Sequence, residues 1–288
     1  MRRLAGILAF ALAALTALCA GAAAAPSLEP YRGLGTWVDI YDDRQLASPE
    51  ATVAAIQARG VRTIFLETAN FKQRSDLVRP DRLSRILDAA HARGIAVVAW
   101  YLPGFAAGGR DLRRSLAAIR FRSAGGEAFD SFALDSEWSG VTPVSLRNRR
   151  ALALSDRLRR EVGADYALGA IIPNPRGMEL RRDYWQPFPY AELAGRYDVF
   201  VPMVYSTYRG DGPRVVTRDV TRSMTILRTA TGRPDVPIHL IGGLGDEFSA
   251  AEARAFARNV AALGPIGWGL YDFSVTAPSA WAALRSLG

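Results

Sequence analysis

Downstream of residue 33, apolar runs of strand length alternate eight times with helical patterns, and no other feature of the sequence constrains the fold as strongly. Parallel strands need long crossover connections, and a helix after each strand supplies them. Eight such units can close a sheet on itself, so the expected fold is α/β, a single (β/α)8 TIM barrel. The expected strands are 34–41, 61–68, 95–102, the apolar start of 130–138, 166–172, 198–205, 238–243 and 266–273. Helix signals punctuate them. Ser48 and Pro49 read as N-cap and first helical residue, with Gly60 as the stop. Leu83, Ile86, Leu87 and Ala90 share one helical face that ends at Gly94, and Ser249 with Glu252 forms a capping box before Phe256, Val260 and Leu263.

The first residues read as an export signal rather than part of the barrel. Arg2 and Arg3 precede an almost wholly apolar stretch, and Ala22-Ala23-Ala24 offers a small-residue cleavage site before Ala25-Pro26. Residues 1–24 are therefore expected to be a Sec-type secretory signal peptide and 25–288 the barrel, secreted and extracellular or wall-associated. A retained membrane anchor is the alternative reading of the same stretch. Leu18 stands where lipid attachment at Cys19 would want a small residue. Cys19 is the only cysteine, so the processed chain has no disulfide or thiolate chemistry. No second apolar run could span a bilayer, so no membrane partner is expected after cleavage. Lys72 is the sole lysine, and the excess positive charge is carried by arginine. The cluster Arg147, Arg149, Arg150, Arg157, Arg159 and Arg160 alternates with Leu146, Leu154 and Leu158, as the solvated face of a helix would. It implies no nucleic acid partner, and a monomer is expected.

The chemistry concentrates in 130–138, where an apolar run meets Asp135, Glu137 and Trp138. Residues i and i+2 of a strand share a face, so the two carboxyls project together at its C-terminal end. Like charges so close disfavour joint ionisation, and Glu137 is expected to keep its proton to a higher pH than a free glutamate. An acid protonated near neutrality beside an ionised carboxylate is what glycosidic-bond cleavage requires. Barrel active sites lie at the C-terminal strand ends. There the sequence places Trp37 and Asp39, Glu67, Trp100 and Tyr101, Asn174, Tyr205 and Tyr208, and Trp268, Tyr271 and Asp272. Aromatic faces beside carboxylates suit a carbohydrate substrate. The irregular stretch 173–195, with Tyr184, Trp185, Phe188 and Tyr190, is expected to wall the cleft.

These residues resemble glycoside hydrolase family 18, the chitinase-like group. Asp130, Asp135 and Glu137 match the first, third and last acidic positions of its strand-4 motif D-x-x-D-x-D-x-E. Met203-Val204-Tyr205 resembles its M-x-Y, and Trp268 its strand-8 tryptophan. The resemblance implies Glu137 as general acid/base, Asp135 orienting a substrate acetamido group, Tyr205 bonding near the anomeric centre and Trp268 flooring the sugar. Two departures stand out. Ala133 replaces the motif's middle Asp, and Trp100-Tyr101-Leu102-Pro103 stands in place of S-x-G-G. The D-x-E pair with Asp39 on the first strand is also similar to family 25 lysozymes, though Gly35-Thr36-Trp37-Val38-Asp39 does not keep their G-x-D-x-S spacing.

Other chemistries find less support. His91 and His239 fall among structural positions, so neither a metal nor a cofactor is expected. A serine-hydrolase elbow is absent. Gly242-Gly243-Leu244-Gly245 reads as a phosphate cradle or a tight turn, and Arg209-Gly210-Asp211 as a plain loop. The expected function is hydrolysis of glycosidic bonds in a polysaccharide, N-acetylglucosamine-containing if the resemblance holds. The alternative is a secreted glycan-binding barrel that has lost the reaction.

Overall fold

A computed structural model describes residues 25–287. Their eight strands are β1 (Gly33–Val38), β2 (Thr63–Asn70), β3 (Ala96–Leu102), β4 (Ser131–Asp135), β5 (Leu168–Pro173), β6 (Val199–Met203), β7 (His239–Leu244) and β8 (Gly267–Tyr271). They pair in parallel in the order β1 to β8, and β8 closes on β1. The segment read as an export signal lies outside the described residues. No helix among those described is long and apolar enough to cross a membrane.

Strand periodicity sorts the side chains into two shells. One face of each strand packs outward under the helices, where Leu34, Val38, Leu66, Tyr101, Leu134, Ile172, Phe200 and Leu270 belong to one large core. The other face fills the barrel with Trp37, Phe65, Val98, Trp100, Ala133, Ile171, Val201, Met203 and Ile241. A stagger of about one residue per strand turns the pairing registers into layers of four drawn from alternate strands. Trp37, Trp100, Ile171 and Ile241 form one layer. The layer above it, towards the C-terminal ends, comprises Glu67, Asp135, Met203 and Tyr271.

The opposite mouth is plugged from outside the sheet. Tyr31, fully buried, shares a hydrogen bond with the Ser131 hydroxyl at 2.8 Å and donates to the Phe132 carbonyl at 3.1 Å. Room for its ring exists because Gly169 lacks a side chain: a Cβ there would stand 2.6 Å from the Tyr31 hydroxyl and 3.0 Å from Ala133 Cβ. His239 lies in the same end, donating from Nδ1 to the Tyr31 carbonyl at 2.9 Å, and burial lowers its pKa to about 4.

Helix boundaries largely follow their local signals. Pro49 opens the helix Pro49–Gln57, Gly163 caps Val144–Val162, and both halves of the Ser249–Glu252 capping box are made. Three expectations change. The stretch 173–195 is not irregular: it contains helices Pro175–Leu180, Arg182–Trp185 and Tyr190–Ala194. Asn174 caps the first by accepting from the Gly177 N–H at 3.0 Å, with Pro175 in the first turn. Arg147 is not on a solvated face. It is buried, donates to the Ser139, Val141 and Tyr184 carbonyls and lies over the Trp185 ring, so its long stem carries the charge into a loop-binding role. The glycines at 242, 243 and 245 make room for packing: a Cβ at each would meet Phe256, Phe248 and Thr276 respectively.

Candidate active site

β4 ends at Asp135 and β6 at Met203, so Glu137 and Tyr205 stand just past the strands, in the loops above the barrel. Pairing persists one step further, with Ser136 N–H donating to the Ile171 carbonyl at 2.9 Å, which fixes the start of the Glu137 turn. Glu137 lines a cleft of about 260 Å³ with Asn174, Arg181, Tyr184, Met203, Tyr205, Tyr208 and Arg209 among its walls. The Tyr184 hydroxyl donates to the Glu137 carbonyl at 2.5 Å and ties the Glu137 turn to the wall of short helices.

Below Glu137, Asp135 is 4 % exposed and its Oδ1 has no hydrogen-bond partner. Burial raises its pKa well above the usual carboxylate range, and the Glu137 and Glu67 charges add to the rise. Glu137 is also raised, by burial, with the Lys72 ammonium opposing. The expected direction for Glu137 holds. Its main cause is desolvation rather than like-charge repulsion, and Asp135 is affected too. Glu67, 2 % exposed, is pushed up to about 8 by burial, although Ile40 N–H and Asn70 Nδ2 donate to its carboxyl at 3.2 and 3.1 Å. Three carboxyls thus share one poorly solvated end of the barrel.

The other expected site residues divide sharply. Trp37 and Trp100 point inward, 5.9 Å apart edge to face, and Trp37 stacks on Phe65 at 4.3 Å. They lie beneath the carboxyl layer, buried, as a floor rather than as open sugar platforms. Asp39 stands at the rim, accepting from the Tyr271 hydroxyl at 2.6 Å, while Trp138 (37 % exposed) packs on Phe71 and Tyr208 (68 % exposed) on Tyr205. Asn174 lines the cleft. Asp272 turns back on its own loop, accepting from Ser274 and Val275.

Trp268 and Tyr101 are not in the site. Trp268 faces outward, its Nε1 donating to the Leu284 carbonyl at 3.1 Å near the opposite mouth of the barrel. Tyr101 is fully buried outside the sheet, donating to Asp111 at 2.7 Å. Both have the wrong strand parity: Trp100 takes the inward position on β3 and Tyr271 on β8. Asp130 also lies away from the site, at the start of β4, where it binds the Val97 N–H at 2.7 Å and His91 at 2.9 Å. The His91 pKa rises to about 9, first through Asp130 and then Glu127. Arg209, read as a loop residue, lines the cleft instead.

Asp39, Asp42 and Asp272 each offer an oxygen within 4.8 Å of the others, a spacing that could hold a cation. Asp42 is raised to about 6, by burial first and by the neighbouring Asp272 and Asp39 charges.

No protein-family profile and no curated protein sequence matches the chain. Solved structures do. An endo-1,4-β-D-mannanase from Thermotoga petrophila RKU-1 is 12 % identical, covers 84 % of this chain and 88 % of its own, and superposes with a TM-score of 0.62. The spore cortex-lytic enzyme SleL of Bacillus cereus is 10 % identical over 89 % of this chain and 74 % of its own, with a TM-score of 0.61. A chitinase from Chromobacterium violaceum is 10 % identical over 88 % and 98 %, with a TM-score of 0.60. At such identities the likeness is one of architecture, and what this chain shares with those proteins is the single closed (β/α)8 barrel.

Proposed function

We propose that the protein is a secreted glycoside hydrolase, acting on a polysaccharide in the cleft that Glu137 lines. The observation that carries this reading is the placement of Glu137 on that cleft with Asp135 buried directly beneath it, both carboxyls raised. The pair therefore holds its proton to higher pH than free carboxyls do, which is the direction a general acid needs. Glu137 gives its proton to the glycosidic oxygen as the bond to the anomeric carbon breaks. Asp135 stabilises the positive charge that grows on the ring, or orients an acetamido group if the sugar carries one. Tyr205, whose phenol burial keeps fully protonated, donates towards the same centre. Water then adds its hydroxyl to the anomeric carbon and gives its remaining proton to the Glu137 carboxylate, restoring the acid. The barrel's likeness to a mannanase and a chitinase supports a glycosidase over other barrel chemistries.

One observation favours a second reading, a glycan-binding barrel without catalysis. Ala133 leaves Asp135 Oδ1 without the partner a carboxyl at that position would offer. Release of reducing ends from chitin oligomers, peptidoglycan and neutral β-glucans separates the two. The hydrolase reading expects release by the wild type and at least a ~100-fold loss in Glu137→Gln. Binding without release by either protein would replace it with the second reading.

A further inference from the structure

The cleft wall after β5 and β6 carries more positive charge than it neutralises. Asp219, wholly buried, faces Arg176 at 2.9 Å, Arg209 at 3.4 Å and Arg218 at 3.6 Å, so three guanidiniums share one carboxylate. Arg209 reaches the cleft across Gly177, where any Cβ would collide with its Nη2. It is steadied by a 2.9 Å bond from Nη1 to the Tyr205 carbonyl. Arg181 lines the same cleft and makes no ion pair among the described residues, its guanidinium lying 5.7 Å from the Tyr184 ring centre.

Asn174 completes the same stretch of wall. Asn174 is 8 % exposed, and its Oδ1 accepts from Gly177 N–H and the Ser223 hydroxyl, which fixes the amide orientation. Its Nδ2 is buried without an acceptor, while the residue itself lines the cleft. A neutral sugar would offer hydroxyls to this wall but nothing to offset its charge. A planar carboxylate suits guanidinium forks and accepts from an amide N–H as well.

We propose that this wall is an anion subsite, and that the saccharide acted on by Glu137 carries a carboxylate on the sugar seated against Arg181, Arg209 and Asn174. The inference rests on the hydrolase reading for the role of Glu137, but its binding half is tested separately. Uronic-acid oligomers and glycan strands bearing lactyl carboxylates are each compared with their carboxyl-reduced, neutral forms. Binding to the Glu137→Gln protein is followed by calorimetry. At least one acidic probe should bind about tenfold or more tightly than its reduced form, and Arg181→Gln should remove most of that preference. Because Arg181 is exposed, that variant keeps the fold. Gly177→Ala, which displaces Arg209, should weaken the acidic probe selectively. Equal binding of acidic and reduced probes, or a preference unchanged by both variants, overturns the subsite. Reducing-end release at equal rates from both forms would do so too while leaving the hydrolase reading intact. Acid-selective binding without release would uphold the subsite and sink the hydrolase.

Discussion

Raising the pH from about 5 to about 8 should destabilise the protein, and replacing Glu67 should remove a definable part of that loss. An unfolded glutamate ionises near 4.5, whereas burial holds Glu67 protonated up to about 8. Between these values the unfolded state releases a proton that the folded state keeps. Stability therefore falls as pH rises, starting near the lower value and levelling off above the upper one. At about 1.4 kcal/mol per tenfold change in proton affinity, the loss assigned to Glu67 is roughly 4 kcal/mol. That is a large share of the 5–15 kcal/mol by which domains are typically stable.

The perturbation is Glu67→Gln, which cannot ionise. One of its terminal atoms can still accept from Ile40 N–H, while the other becomes a donor facing Asn70 Nδ2 and costs about 1 kcal/mol at every pH. The informative quantity is thus the slope against pH, not the offset. Urea unfolding of both proteins at four pH values across the window supplies it. The wild type should lose roughly 4 kcal/mol more than the variant between the ends of the window. Parallel curves would refute the claim that the barrel holds this carboxyl protonated.

The His91 pairing with Asp130 and Glu127 has the opposite functional weight but a readable pH signature. With its pKa raised to about 9, its stabilising contribution is full below 6.5 and vanishes as pH rises through 9. His91→Gln should therefore cost about 1–2 kcal/mol at pH 6, after screening by solvent around its half-exposed partners, and almost nothing at pH 10. Trp268→Phe should lower stability by about 1–2 kcal/mol through loss of the Leu284 bond and packing, with kcat and KM unchanged in the reducing-end assay. Gly169→Ala should cost about 1–3 kcal/mol in thermal or urea unfolding, because the new methyl meets the buried Tyr31 hydroxyl and Ala133.

What could be read from the sequence, and what could not, follows from the range of each interaction. Strand and helix existence is local, set by apolar runs, Ser-Pro starts and glycine stops, so the barrel was legible. Strand ends were less so: the apolar pattern runs on past Met203 and the D-x-E alternation past Asp135, whereas pairing gives out almost at once. Parity narrows the choice of inward residues. Trp100 and Tyr101 are adjacent, and Trp268 and Tyr271 are three apart, so in a regular strand only one of each pair can face the barrel axis. Which one does so depends on registers with neighbouring strands, a tertiary quantity. Arg209 was harder still. Its place on the cleft depends on a missing side chain at Gly177, 32 positions earlier, and on a buried Asp219 in the following helix. Arg147 misled for a related reason, since helical periodicity reports the face on which a stem begins, not where its charge ends.

The stacking of layers explains why an ordinary D-x-E tripeptide acquires unusual acidity here. Directly beneath Glu67, Asp135, Met203 and Tyr271 lies the layer of Trp37, Trp100, Ile171 and Ile241, all buried and apolar except for two indole N–H groups without partners. Water can therefore reach the carboxyls only from the cleft side. Loss of solvation is the main cause of the rise at all three carboxyls, and repulsion from neighbouring carboxyls adds to it at Asp135 and Glu67. A barrel with small polar residues in that lower layer would admit water from below and return the carboxyls towards their free values. Trp37 and Trp100 are thus positioning residues for the acidity of Glu137, although neither lies open to a sugar. Substituting Trp100 by serine should shift the alkaline limb of the activity profile, which loss of the Glu137 proton sets, downward in pH, whereas a role confined to packing would lower stability and leave that limb in place.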